Sequence, residues 1–180
     1  MPSLLDRVAA RLRETGASGD GEPSSLLIHA GSRYSGEEAE GGAAGFDPAG
    51  AALFEAVVES AYLVAAADDD FDATERAAFE HVVLSACKGS VSPEQLGALL
   101  ADLESLREED GTDKRVRMVA RTVSEPDHAR EVLRIAALIA HVSEGVSDVE
   151  RAVLQRMAAE FRLAPAAVDE ALADVERALA

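Results

Sequence analysis

Five carboxylates fall within nine residues in the stretch Ala67-Asp68-Asp69-Asp70-Phe71-Asp72-Ala73-Thr74-Glu75. Clustered carboxylates are hard oxygen donors, and the ions they take are Ca²⁺ or Mg²⁺ rather than Zn²⁺. Asp68, Asp70 and Asp72 sit at the first, third and fifth positions of an EF-hand loop. Ala73, however, stands where that loop needs Gly, and Phe79 stands where it needs Glu. The stretch is not an EF-hand. Should an ion bind, Glu75 is the better fourth ligand, one helical turn into the next helix.

The same residues also have a purely structural use. Asp72-Ala73-Thr74-Glu75 reads as a capping-box helix start, and Asp69 and Asp70 can simply be solvated. Asp68 follows Val64 and Ala65 by four and three residues, so it extends the apolar stripe of the preceding helix to its C-terminal end. A carboxylate there opposes the helix dipole at about 0.3–1 kcal/mol. Repulsion adds about 1–3 kcal/mol for each pair of acids about 5 Å apart. The positive start of the following helix offsets part of this cost, and a cation or cap donors must offset the rest.

The elements around this turn are helical. Asp47-Pro48 is a helix start, and Leu53, Phe54, Val57, Val58, Ala61, Val64 and Ala65 form an apolar face, with Glu55 and Glu59 on the opposite one. After the turn come Phe79, Val82, Val83 and Ala86, closed by Lys88-Gly89. Ser92-Pro93-Glu94-Gln95 opens a third helix carrying Leu96, Leu99, Leu100 and Leu103. A fourth, over 112–123, buries Val116, Val119 and Ala120 and exposes Lys114, Arg117 and Arg121. The fifth, over 127–142, is apolar nearly all round, as a central helix should be. Ser147-Asp148-Val149-Glu150 is a second capping box before Val153, Leu154, Met157 and Phe161, and Ala164-Pro165 opens a last helix. The spacing thus predicts an all-α bundle of seven helices over residues 47–180.

Residues 1–46 read differently. Leu4, Leu5, Val8 and Leu12 make a short amphipathic helix, for which docking on the chain's own body is the simplest use. From Thr15 to Phe46 the chain is rich in Gly, Ser and Glu, the composition of a flexible linker, with one apolar island, Leu26-Leu27-Ile28, expected as a short extended piece.

Sliding the chain by 75 residues superposes two acidic turns. Val57 falls on Val132, Ala61 on Ala136, Val64 on Ile139, Phe71 on Val146, Glu75 on Glu150 and Arg76 on Arg151, with no gap. This register reads as a duplicated helix-turn-helix whose two turns lie at related positions near the core.

Ala67-Asp68, an apolar Phe71 and Glu75 after an apolar helix, with a weaker copy 75 residues on, resemble the TerB-like family associated with tellurite resistance. The resemblance covers about residues 51–179. It implies an all-helical fold and an acidic metal site at Asp68, Asp70, Asp72, Glu75, Glu144 and Glu150, with Ca²⁺ or Mg²⁺ as the ion. It also implies a non-enzymatic place in stress-response assemblies beside membrane proteins. The chain departs from the family pattern at Asp69, where Gly is usual, and at Ser143 and Glu144, which replace the second Asp-Gly.

Composition narrows the functional classes. The net charge of −17 argues against nucleic acid, which requires a basic footprint, and suits cations or basic partners as well as plain solubility. Aromatic residues make up 4% and Trp is missing, so the core must be aliphatic and Ala-rich, which favours helices over a sandwich. Cys87 falls at a buried helical position and reads as a structural thiol. Glu125 and His128 have di-iron spacing, but Pro126 separates them, and His141 is expected as a polar residue at a helix end. Lys114, Arg115, Arg117 and Arg121 read as a solvated basic face or a docking patch. No nucleophile–base set or phosphate loop accompanies the acids. With no signal-like run and apolar runs short of the ~20 residues of a spanning helix, a cytoplasmic location is expected, any membrane contact being peripheral. The alternative function is a protein-interaction adaptor whose acidic turn serves only as a cap.

Overall fold

A computed structural model describes residues 2–14, 25–34, 47–142 and 145–180; the linker reading for 15–24 and 35–46 lies outside them. The described residues form nine helices and no strand: α1 Leu4–Glu14, α2 Leu26–Tyr34, α3 Pro48–Ala65, α4 Ala73–Cys87, α5 Pro93–Asp110, α6 Thr112–Thr122, α7 Pro126–Ala140, α8 Asp148–Glu160 and α9 Ala167–Leu179. The all-α expectation holds, and α3–α9 are the seven helices read over the body.

Helix starts follow the local chemistry. Asp47 accepts the Gly50 N–H at 3.1 Å to begin α3. Ser92 and Gln95 close a reciprocal box at α5. Helix α3 packs most extensively on α7, and both are buried on nearly every side. Around this pair α5 and α6 cover one flank of α3, α9 covers α7, and α8 lies against α3, α6 and α7. By length and composition α3 could also cross a membrane; two-thirds of it is buried inside the bundle.

Helices α1 and α2 pack on this body. Val8 and Leu12 are fully buried, and α1 lies on α4 and α9, so it docks in cis. Its arginines donate to carbonyls at helix ends: Arg7 to Leu179 at 2.6 Å, Arg11 to Ala178 at 2.9 Å and Arg13 to Ser85 at 3.2 Å. Cations at helix C-termini meet the negative end of the dipole. The island at Leu26 is helical rather than extended. Leu26, Leu27 and Ala30 are buried together, and the carboxylate of Glu131 on α7 accepts the otherwise orphan Leu26 N–H at 2.8 Å. Helix α2 approaches closely at Gly31, where a Cβ would stand 3.2 Å from Cys87 Sγ. Burial pushes the Cys87 thiol up to about 12, which fits a structural role.

A charged pair joins α3 and α6 within the core. Glu59 is only 6% exposed, although its spacing from Glu55 suggested the outer face. Arg115 on α6 holds it with two hydrogen bonds, Nε to Oε1 at 2.6 Å and Nη2 to Oε2 at 3.0 Å, and reaches Asp110 at 3.2 Å. Arg115 is therefore not on the solvated basic face with Arg117 and Arg121, because a buried carboxylate needs its fork-shaped donor.

Candidate functional site: two acidic turns at one pocket

The turn between α3 and α4 is fixed at both ends. Asp68 Oδ1 accepts the Asp70 N–H at 3.2 Å. Asp72 Oδ1 accepts the N–H groups of Thr74 and Glu75 at 2.7 and 2.8 Å, while Glu75 Oε2 accepts the Asp72 N–H at 3.2 Å. Between them Asp69 adopts φ +64° and pairs with Arg107 of α5. That left-handed backbone explains why glycine suits this place; Asp is among the few other residues that tolerate it. Phe71 turns inward, edge-on to Tyr62 with ring centres 5.5 Å apart and to Phe79 at 5.9 Å, and so anchors the acidic turn on the core.

The second turn repeats the capping geometry. Ser147 Oγ accepts the Glu150 N–H at 3.2 Å, and Glu150 Oε2 accepts the Ser147 N–H at 2.7 Å. Glu75 and Glu150 are thus equivalent third residues of two helix starts.

The two starts meet. Asp68 and Glu75 line an open pocket of about 470 Å³ together with Ala65, Gly145, Val146, Ser147 and Glu150. The pairing of turns expected from the 75-residue register is therefore present in space; duplication itself stays a reading of the sequence. Of the expected ligands, Asp68, Glu75 and Glu150 come together here. Asp70 and Asp72 do not line this pocket, and Asp72 Oδ1 caps α4. Glu144 lies outside the described residues. Among the described residues no three Asp, Glu, His or Cys side chains stand as a closed metal-holding group. The donor set suits a hard divalent ion by its chemistry but does not close around one as placed.

Electrostatics mark Glu150 within the trio. It is 7% exposed, and burial pushes its carboxyl above the ordinary range; the carboxylates of Asp68 and Glu75 push the same way, against hydrogen bonds from Ser147. A carboxyl whose folded-state pKa is raised binds its proton more readily folded than unfolded. Stability therefore falls as pH rises from the ordinary Glu value through the raised one. Glu150→Gln keeps the capping acceptor and removes the charge. It should raise the Tm at pH 7 in chelator by a few degrees, about 1 kcal/mol, and leave it unchanged near pH 3.5. Equal melting of both proteins at pH 7 would show that Glu150 carries no such cost.

The other candidates lie apart. His128 stands 3.9 Å from Glu125 at the surface, where Pro126 begins α7. His141 Nδ1 is 2.8 Å from the Ala137 carbonyl, at the end of α7. Beside the acidic pocket lies a smaller, mainly apolar chamber of about 150 Å³, which the sequence did not reveal because its walls come from four helices.

An all-helical bundle with acidic turns from two hairpins facing one pocket defines the class of this protein. Residues 54–173, two-thirds of the chain, match the family model described as tellurite resistance protein TerB. The chain belongs to the TerB family. Neither the curated proteins nor the solved structures give a match to it.

Proposed function

We propose that this chain is a non-enzymatic, divalent-cation-binding module serving a stress-response or metal-resistance assembly. The observation that carries this reading is the convergence of Asp68, Glu75 and Glu150, from two separate turns, on one open pocket. Three acids with a raised pKa among them are costly together, and a hard cation offsets that cost. Asp68, Glu75 and Glu150 are the residues that would hold Ca²⁺ or Mg²⁺. Each glutamate uses Oε2 on its own cap and leaves Oε1 outside it. The role proposed is binding rather than turnover.

A second reading is favoured by a specific observation. Both glutamates are already accounted for by capping boxes, the use such residues have in an adaptor whose turns are structural. Thermal melts separate the two. A ligand at ten times its Kd adds about 1.4 kcal/mol, so millimolar Ca²⁺ or Mg²⁺ should raise the Tm by roughly 3–6 °C. Asp68→Asn should abolish the rise. A melting curve unmoved by saturating cation would leave the adaptor.

A further inference from the structure

The acidic pocket and the apolar chamber are neighbours that share Ala65, Glu75 and Glu150. The chamber's remaining walls are Phe71, Thr74, Ala78, Phe79, Ile139 and Val142, and its volume of about 150 Å³ is that of an apolar protein cavity able to take a benzene-sized molecule. A site with an apolar chamber on one side and three carboxylates on the other selects a ligand that carries a cation directly beside a compact apolar group. A divalent ion satisfies only the acidic half.

We propose that this double pocket captures the free N-terminus of a polypeptide whose first residue is leucine-sized and apolar. The α-ammonium and the first side chain leave the same Cα, so the ammonium can meet Asp68, Glu75 and Glu150 while the side chain enters the chamber. A lysine fits worse, because its charge is at the far end of its stem and would lead into the apolar walls. The acidic half, at about 470 Å³, is also far larger than an ammonium needs and leaves room for the next peptide unit. Charge complementarity gives such a partner its orientation, and the buried side chain gives most of its affinity. The inference goes beyond the cation reading and does not rest on it, although both ligands use the same carboxylates and should compete.

The test uses the full chain and the peptide Leu-Gly-Gly-amide, followed by methyl NMR of Ile139 and Val142. The expected result is saturable shifts at these methyls, with a Kd at least tenfold below those of N-acetyl-Leu-Gly-Gly-amide and Gly-Gly-Gly-amide. Ala78→Leu, which fills the chamber, should remove peptide binding while all three carboxylates remain in the chain. Should that variant fail to fold, Thr74→Leu narrows the same chamber from an exposed position. Equal binding of the acetylated peptide, absence of binding, or unchanged binding by the filled variant overturns the proposal. So does 3-methylbutan-1-amine binding as tightly as the peptide, which would assign the site to small amines. The melts with Ca²⁺ and Mg²⁺ are read separately, so either idea can fail alone.

Discussion

Replacing Arg115 with Met should destabilise the fold by about 3–5 kcal/mol and lower the Tm by roughly 10 °C or more. Arg115 is the bidentate partner of Glu59, which sits 6% exposed on α3. Removing the guanidinium leaves that carboxylate buried, with neither counter-charge nor donors. The loss is one of desolvation, so it should largely vanish when both charges go: Glu59→Leu combined with Arg115→Met should recover most of the stability. Urea unfolding of the single and double variants measures both. A single variant within about 1 kcal/mol of the parent would mean that water reaches Glu59 and takes over its hydrogen bonds.

Phe79→Ala should be about as severe, at about 3–5 kcal/mol, because a fully buried ring leaves a hole that its neighbours fill only in part. Phe79 is 2% exposed and takes the edge of Phe71, which in turn meets Tyr62. That chain of rings fastens the acidic turn to the core. Phe79→Leu keeps most of the volume and should cost less than about 1.5 kcal/mol. Equal losses for Leu and Ala in the urea midpoint would show that ring geometry, rather than volume, holds the turn.

What was legible in the sequence was local. Asp72 with Glu75 and Ser147 with Glu150 are three residues apart, and both boxes form as their spacing predicts. The 75-residue register brought Glu150 to the site from the other half of the chain, which no local motif could have done. Glu59 was misplaced because periodicity alone pairs it with the exposed Glu55; its partner lies 56 residues away, beyond any helical pattern. The Leu26 island was read as extended because Gly- and Ser-rich flanks suggest coil. Its helix draws on Glu131, 105 residues distant, for the acceptor at its first N–H. At Asp69 the sequence showed only a departure from the family's glycine; the left-handed φ of +64°, which suits glycine and which Asp tolerates while also reaching Arg107, is visible only in the structure. The apolar chamber left no signal, since Phe71, Ala78, Ile139 and Val142 look like ordinary core positions until four helices are assembled.

The grip of Arg7 and Arg11 on the last carbonyls of α9 has a mechanical corollary. The two extremities of the folded body are tied to each other, so a tension applied through them would load this clasp before it reached the α3–α7 pair. Joining the extremities covalently would span little distance, and a ring-closed chain reopened at a surface loop should keep the same interior.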